Sequence, residues 1–277
     1  MTPIVFNGRE FAKEKENDLQ NRVQVLQKKG ITPKLVSIVV GDEGGALGYQ
    51  NMKKKAGERV GVEVEVRQFP EETGKAKLLK ELRSLTKDPT THGIMIQLPL
   101  PRSFSKEDKE ELINTIDPKK DVDGMREGSV FVAPVVRAVI EALGEGKRRI
   151  PSDHFKIIVV GADGFEGRKM VTEFKRLGFS TQSLDKGDLE QLTSNSQPLT
   201  ADIIVSCTGV PELIIGDMVK EGAIVIDVGA PKGDVEFESV SKKASFITPV
   251  PGGIGPVTVA CLLENVVEAC RIIAEKG

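Results

Sequence analysis

The chain of 277 residues has no tryptophan, one tyrosine, two histidines and three cysteines. Each shortage narrows the field. His92 and His154 lie far apart, and Cys207, Cys261 and Cys270 form no CxxC pair, so no metal site is expected. Such cysteine usage suggests reduced thiols in a cytoplasmic protein. No apolar run approaches the roughly 20 residues of a membrane span. The opening "MTPIVFNGREFAKEKEND" has no basic start followed by an apolar stretch, so no secretory signal is expected. Thirty-nine Lys and Arg against 41 Asp and Glu give a net charge of −2, which supplies no footprint for nucleic acid. These absences predict a globular, intracellular protein with neither a membrane nor a nucleic-acid partner.

What is present is an alternation. Asn7 followed by Glu10 resembles a helix start, and Phe11, Leu19, Val23 and Leu26 carry helical periodicity up to Gly30. Apolar strand candidates follow at 34–41, 62–69 and 93–101, separated by helical stretches around Tyr49, over 75–88 and around 105–115. This β-α-β-α-β order predicts a parallel three-layer α/β domain. A helix opens at 133–136 ("APVV") and runs into a polar link. The alternation then restarts with strands at 155–161, 201–209 and 222–229, and a last helix reaches about Lys276. The second half therefore reads as a dinucleotide-binding α/β domain.

Its sign is "VVGADGFEG", a strand end opening into a helix. Gly161, Gly164 and Gly167 stand where a tight turn and close backbone approach to a pyrophosphate are needed. The spacing is GxxGxxG, so the strand-turn-helix context carries the reading more than the motif does. "CTGVPE" and "DVGAP" add Gly209, Gly229 and Ala230 at two further strand ends, where open α/β sheets bind ligands.

The lone tyrosine raises a separate question. In "GYQNMKKKAGERVG" Tyr49 precedes Lys53 by one helical repeat, so the two share a face. A lysine run on a helix is usually a solvated surface. Tyr-x-x-x-Lys with a dinucleotide fold could suggest a short-chain dehydrogenase, but here the pair precedes the glycine turn by more than a hundred residues, the reverse of that family's order. Gln97 interrupts an apolar strand before Pro99. Asp121 and Asp123 sit in "KKDVDG", for which a plain Asp-Gly turn is one explanation.

"ITPVPGGIGPVTVACLLENV" (247–266) decides between these readings. Two prolines and two adjacent glycines before a helix make a rigid loop that lets a ligand approach the backbone. The chain here resembles the bifunctional methylenetetrahydrofolate dehydrogenase/methenyltetrahydrofolate cyclohydrolase family, whose signature is PGGVGPxT before the last helix. "VGDEGGALGYQNMKKK", "GIMIQLPLP" and "KKDVDG" are similar to the family's other motifs in order and spacing.

The resemblance implies two domains, a folate-binding catalytic domain over 1–133 joined by the C-terminal helix 255–277, and a Rossmann-type domain over 134–254. It implies that Tyr49 stacks on the folate, Lys53 is the catalytic lysine, Gln97 tunes that lysine and Asp123 receives the amino-pyrimidine edge of the pterin. Lys55 is supporting and Lys54 solvated in this reading. Pro251, Gly252 and Gly253 line the substrate, while Gly161, Ala162, Asp163, Gly167, Asp185, Lys186, Gly209, Gly229 and Ala230 hold the cofactor. The family implies NADP. Asp185, 24 residues after Gly161, stands where an acidic residue would hold the ribose of NAD. The expected activities are oxidation of 5,10-methylenetetrahydrofolate and hydrolysis of the methenyl product, in a homodimer.

The departures from the family cluster on the cofactor side. "APVV" stands where the family has PCTP, and Asp163 replaces a serine in the glycine turn. Two rival readings follow: a cyclohydrolase alone, or a non-catalytic folate- or nucleotide-binding regulator.

Overall fold

The computed structural model describes residues 2–41, 46–147, 155–185, 187–188 and 199–275, with the side chains of Ala46 and Leu47 excepted. The chain divides into two units, Ala12–Pro134 with Val259–Gly277, and Met1–Phe11 with Val135–Thr258.

The first unit is built on a three-stranded parallel sheet, ordered β3 (Glu63–Phe69), β2 (Lys34–Val40), β4 (Gly93–Ile96). Strand β2 is apolar on both faces because helices cover both. Leu35 and Met95 on one face pack with Leu19 and Val23 of α1 (Gly8–Gln27), Ala56 and Val60 of α2 (Ala46–Val60), and Leu262, Leu263 and Val266 from the C-terminal helix. Val36, Ile38, Ile94 and Ile96 on the other face pack with Leu78, Leu82 and Leu85 of α3 (Lys75–Lys87) and Leu112 of α4 (Lys106–Asn114). Helix α4 starts at a capping box between Ser105 and Asp108. The expected strand over 93–101 stops at Ile96. Gln97 still donates its backbone N–H to Ile38, and then Pro99 and Pro101 can donate nothing to the ladder.

The second unit carries a six-stranded parallel sheet in the order β1 (Ile4–Val5), β9 (Phe246–Ile247), β8 (Ile224–Asp227), β7 (Ile203–Ser206), β5 (Lys156–Val160), β6 (Ser180–Leu184). Its helices are α5 (Pro134–Lys147), α6 (Phe165–Arg176) and the short α7 (Phe237–Val240). The β5-α6-β6 crossover brings Gly161 and Asp185 to neighbouring strand ends. The last helix, α8 (Ile254–Ala274), begins here and passes into the first unit at Val259.

One boundary differs from the sequence reading. The sequence places residues 1–11 in the N-terminal domain, yet Ile4 pairs with Phe246 and Val5 with Ile247. Two-residue strands are too short to show a period, so β1 and β9 leave no signal in the sequence.

Candidate active site

Helix α2 answers the question raised by its lysine run. Its Ala56 and Val60 face the core, and one turn before Ala56 the same stripe carries Lys53 inward. Lys53 is 1% exposed, while Lys54 and Lys55 on either side of the stripe are exposed. Its Nζ donates to Gln97 Oε1 at 2.9 Å and lies 3.4 Å from Met95 Sδ. It also sits 5.0 Å from the centre of the Tyr49 ring, within cation–π range. Burial pushes the lysine down to about 8, against a smaller upward pull from the Asp123 carboxylate. A lysine in this state exchanges protons near neutral pH, which a solvated one does not.

The Gln97 amide is fixed at both ends. Its Nε2 donates to the carbonyl of Leu98 at 2.9 Å, so its oxygen must face α2. That oxygen accepts a second donor, Gln50 Nε2, at 2.9 Å. Gln50 is buried and stands three residues before Lys53. The sequence reading missed it, although its place on the Tyr49–Lys53 face was the available cue.

The loop after β4 separates the two aspartates. Asp121 is fully buried, and its carboxylate accepts the backbone N–H groups of Met125 and Arg126 at 3.1 and 3.0 Å. It is a structural staple. Asp123 is half-buried, and its charge reaches Lys53. Gly124 turns the loop with φ of 61°, and a Cβ there would meet Ala133 N at 2.7 Å. From α8, buried Asn265 donates to the carbonyls of Val122 and Val132 at 2.8 and 3.1 Å. Nothing in the local sequence marks Asn265, because its partners lie more than 130 residues away.

In the second unit the glycine turn has the form the sequence predicts. Gly161 has φ of 85°, and a Cβ on it would meet the Cys207 carbonyl oxygen at 2.7 Å. A Cβ on Gly167 would strike the Gly161 carbonyl. Gly164 caps α6 without any side-chain hydrogen bond, which leaves a helix N-terminus of the kind that receives phosphate. The turn therefore fits a dinucleotide's pyrophosphate. Ala162 is buried beneath it, and Asp163 is exposed with its N–H donating to Asp185 Oδ1 at 3.0 Å. Gly209 and Ala230 are exposed at the ends of β7 and β8, and Gly229 donates to Asp227 Oδ1 at 2.8 Å. Asp227 and Asp234, which the sequence reading passed over, organise these ends. Asp227 also accepts from the N–H groups of Asp234 and Val235, and Asp234 takes Ser206 Oγ and the Thr208 N–H. Lys186 lies outside the described residues.

Two family models match this chain. The tetrahydrofolate dehydrogenase/cyclohydrolase catalytic domain covers residues 6–123, and the NAD(P)-binding domain of the same enzymes covers 134–274. The chain belongs to the tetrahydrofolate dehydrogenase/cyclohydrolase family. It is 36% identical to the bifunctional protein FolD of Nautilia profundicola, over 98% of this chain and 99% of that protein. The crystal structure of the bifunctional FolD from Campylobacter jejuni matches with a TM-score of 0.86 and 34% identity, covering 96% of this chain and 98% of that one. The FolD of Trypanosoma brucei, solved with an NADP cofactor and an inhibitor, matches with a TM-score of 0.88 and 29% identity, each chain covered to 98%.

As expected for this family, the fold is a two-domain α/β structure with a catalytic and an NAD(P)-binding domain. Within the first unit Tyr49, Lys53, Gln97 and Asp123 gather around one buried nitrogen. Pro251, Gly252 and Gly253 belong to the second unit. There Pro251 is exposed, Gly252 has φ of 106°, and Gly253 donates its N–H to the Pro249 carbonyl at 2.8 Å. Among the described residues no helix is long and apolar enough to cross a membrane.

Proposed function

We propose that this chain is a bifunctional enzyme of folate one-carbon metabolism. It oxidises 5,10-methylenetetrahydrofolate to 5,10-methenyltetrahydrofolate with NADP, and hydrolyses the methenyl compound to 10-formyltetrahydrofolate. The observation that carries the reading is Lys53, buried and bonded to Gln97, in a chain that matches the family over nearly its whole length.

Bound NADP supplies the acceptor for the hydride that leaves the methylene carbon. The glycine turn at Gly161, Ala162 and Gly167 would hold its pyrophosphate, with Asp163 and Asp185 toward the ribose and Gly209, Gly229 and Ala230 at the adjoining strand ends. Tyr49 offers a flat apolar platform with a polar tip for the pterin. The Asp123 carboxylate can accept two roughly parallel N–H bonds from the amino-pyrimidine edge. Pro251, Gly252 and Gly253 present backbone and small side chains to the substrate. In the hydrolysis, water adds to the methenyl carbon and loses one proton. The carbinol hydroxyl then gives up its own proton as the C=O forms, and the C–N5 bond breaks as N5 gains a proton, so that one proton is released overall. Lys53 serves the first and the last of these transfers. With a proton affinity near 8, roughly a tenth of it is neutral at pH 7, so Nζ can take the proton from water and return it to nitrogen.

The same reading places the enzyme in the cytoplasm as a homodimer, which sedimentation of the purified protein checks. The activity test is a paired assay for NADP reduction with methylenetetrahydrofolate and for methenyl hydrolysis. Both activities are expected. Hydrolysis without reduction leaves a cyclohydrolase alone, and folate binding with neither activity leaves a regulator.

A further inference from the structure

Gln50 has no role in the reactions as described so far, yet it is placed at their centre. Its side chain is 3% exposed, on the same face of α2 as Lys53. Its Nε2 and the Lys53 Nζ each lie 2.9 Å from one atom, Gln97 Oε1. Its own Oε1 is buried and has no hydrogen-bond partner among the described residues. Turning the Gln50 amide over would bring two carbonyl oxygens together. Turning Gln97 over instead would take its oxygen from Lys53 and its N–H from Leu98. The orientation is therefore imposed by the network, and it persists although it leaves a buried acceptor unsatisfied, which is costly.

We propose that Gln50 is a positioning residue that shares the Gln97 oxygen with Lys53, fixing that oxygen in place and weakening it as an acceptor for the ammonium. This rests on the reading of Lys53 as the catalytic lysine and extends it. Both lone pairs of the oxygen are occupied, and the positive end of the Gln50 amide dipole points at the atom to which the ammonium donates. Each effect favours the neutral amine. Among the described residues, the other groups facing Lys53 are Asp123, whose charge favours the ammonium, and Tyr49 and Met95, which present a ring face and a thioether. Gln50 thus opposes Asp123.

The test follows Lys53 itself. Lysine labelled with 13C at the ε-carbon gives an NMR titration, and Lys53 is the resonance missing in Lys53→Met. Gln50→Leu removes the donor and the orphaned acceptor together, and Gln50→Glu puts a carboxylate in their place. In Gln50→Leu the Lys53 titration should move up by about half a unit, the size of one net hydrogen bond. It should move further in Gln50→Glu. The inflection in the pH profile of methenyl hydrolysis should follow, with about a threefold loss at pH 7 in Gln50→Leu that recovers at higher pH. If Lys53 titrates alike in the wild type and both variants, and rates fall equally at all pH values, Gln50 only fills space and the inference is wrong. If the titration moves but Lys53→Met still hydrolyses the methenyl substrate, Gln50 tunes a lysine that is not the catalyst. That outcome defeats the proposed function instead.

Discussion

The two chemically equipped regions of this chain are built on opposite terms. Around Lys53 the side chains do the work, and they do it dry: an ammonium 1% exposed that shares one amide oxygen with a second amide's N–H, an aromatic face and a thioether. Around the glycine turn the backbone does the work, at an uncapped helix end, and the neighbouring side chains are wet and acidic. Burial lowers the proton affinity of Lys53, because removing water from an ammonium weakens its hold on the proton. A phosphate cradle needs no such burial, since backbone N–H groups cannot titrate and the helix end supplies the field. The first region should therefore fail abruptly when one atom changes, and the second should change its preferences by degrees.

The largest effect is expected at Lys53. Lys53→Met should lower methenyl hydrolysis by about a thousandfold or more, in the upper range for loss of a general acid–base group. It should also melt higher than wild type. Burial lowers the folded-state affinity of Lys53 to about 8, whereas the unfolded lysine keeps the ordinary value, so below pH 8 the fold carries the full cost of the charge. As pH rises from about 8 toward the unfolded value, that cost is relieved. The difference in stability between variant and wild type should thus be largest at pH 7, on the order of 2–3 kcal/mol, and shrink by pH 10. A variant that is inactive but less stable than wild type across that range would mean that Lys53 is not strained by its site.

The next effect contrasts Asp123 with Asp121. Loss of a charge-assisted hydrogen-bonded pair costs on the order of 1.5–3 kcal/mol, so Asp123→Ala should weaken folate binding by about ten- to a hundredfold with little change in melting. Asp121→Ala should do the reverse, because its carboxylate already holds the N–H groups of Met125 and Arg126. Folate titration and thermal melting of both variants measure the contrast. Stronger folate loss in Asp121→Ala would exchange the two roles.

These two regions were also unequally legible in the sequence. Tyr49, Lys53, Gln97 and Asp123 sit at one helical repeat, one amide in an apolar strand and one turn, each of which has an ordinary structural explanation, and only the resemblance to the family singled them out. Gln50 lay inside the same helical repeat and was passed over, since nothing local says that its amide reaches Gln97 across the sheet. Asn265 was illegible for a different reason, its bonds to Val122 and Val132 being set by the packing of a helix from the far end of the chain. The apolar strands β2, β4, β5, β7 and β8 could be read directly. Strand β6 reads Ser-Thr-Gln-Ser-Leu, with only Leu184 buried, so neither alternation nor an apolar run marks it. It is an edge strand, held by its pairing with β5.

That polar edge strand ends at Asp185, where the smallest and most graded effect is expected. Asp185 Oδ1 accepts the Asp163 N–H at 3.0 Å, and its own N–H donates to Asp188 Oδ2 at 2.8 Å. Three carboxylates thus meet beside the glycine turn, and the Asp163 carboxyl is raised by its hydrogen bond to Asp185 and by that group's charge. A crowd of acids at the end of the second strand suits a ribose hydroxyl and opposes a 2′-phosphate. Arg168, whose guanidinium bonds the Asp163 carbonyl, supplies a nearby cation, so the opposition is partial. Asp185→Ser removes one charge and keeps an oxygen able to accept the Asp163 N–H. The specificity constant for NADP should rise by about fivefold, while that for NAD stays level or falls, since a like-charge contact near the surface is worth on the order of 1 kcal/mol. Initial rates with both cofactors, for wild type and variant at low and high salt, provide the measurement. The gain should shrink at high salt, as screening predicts. If neither constant moves at low salt, Asp185 faces solvent rather than the ribose, and the acidic cluster serves only to brace the turn.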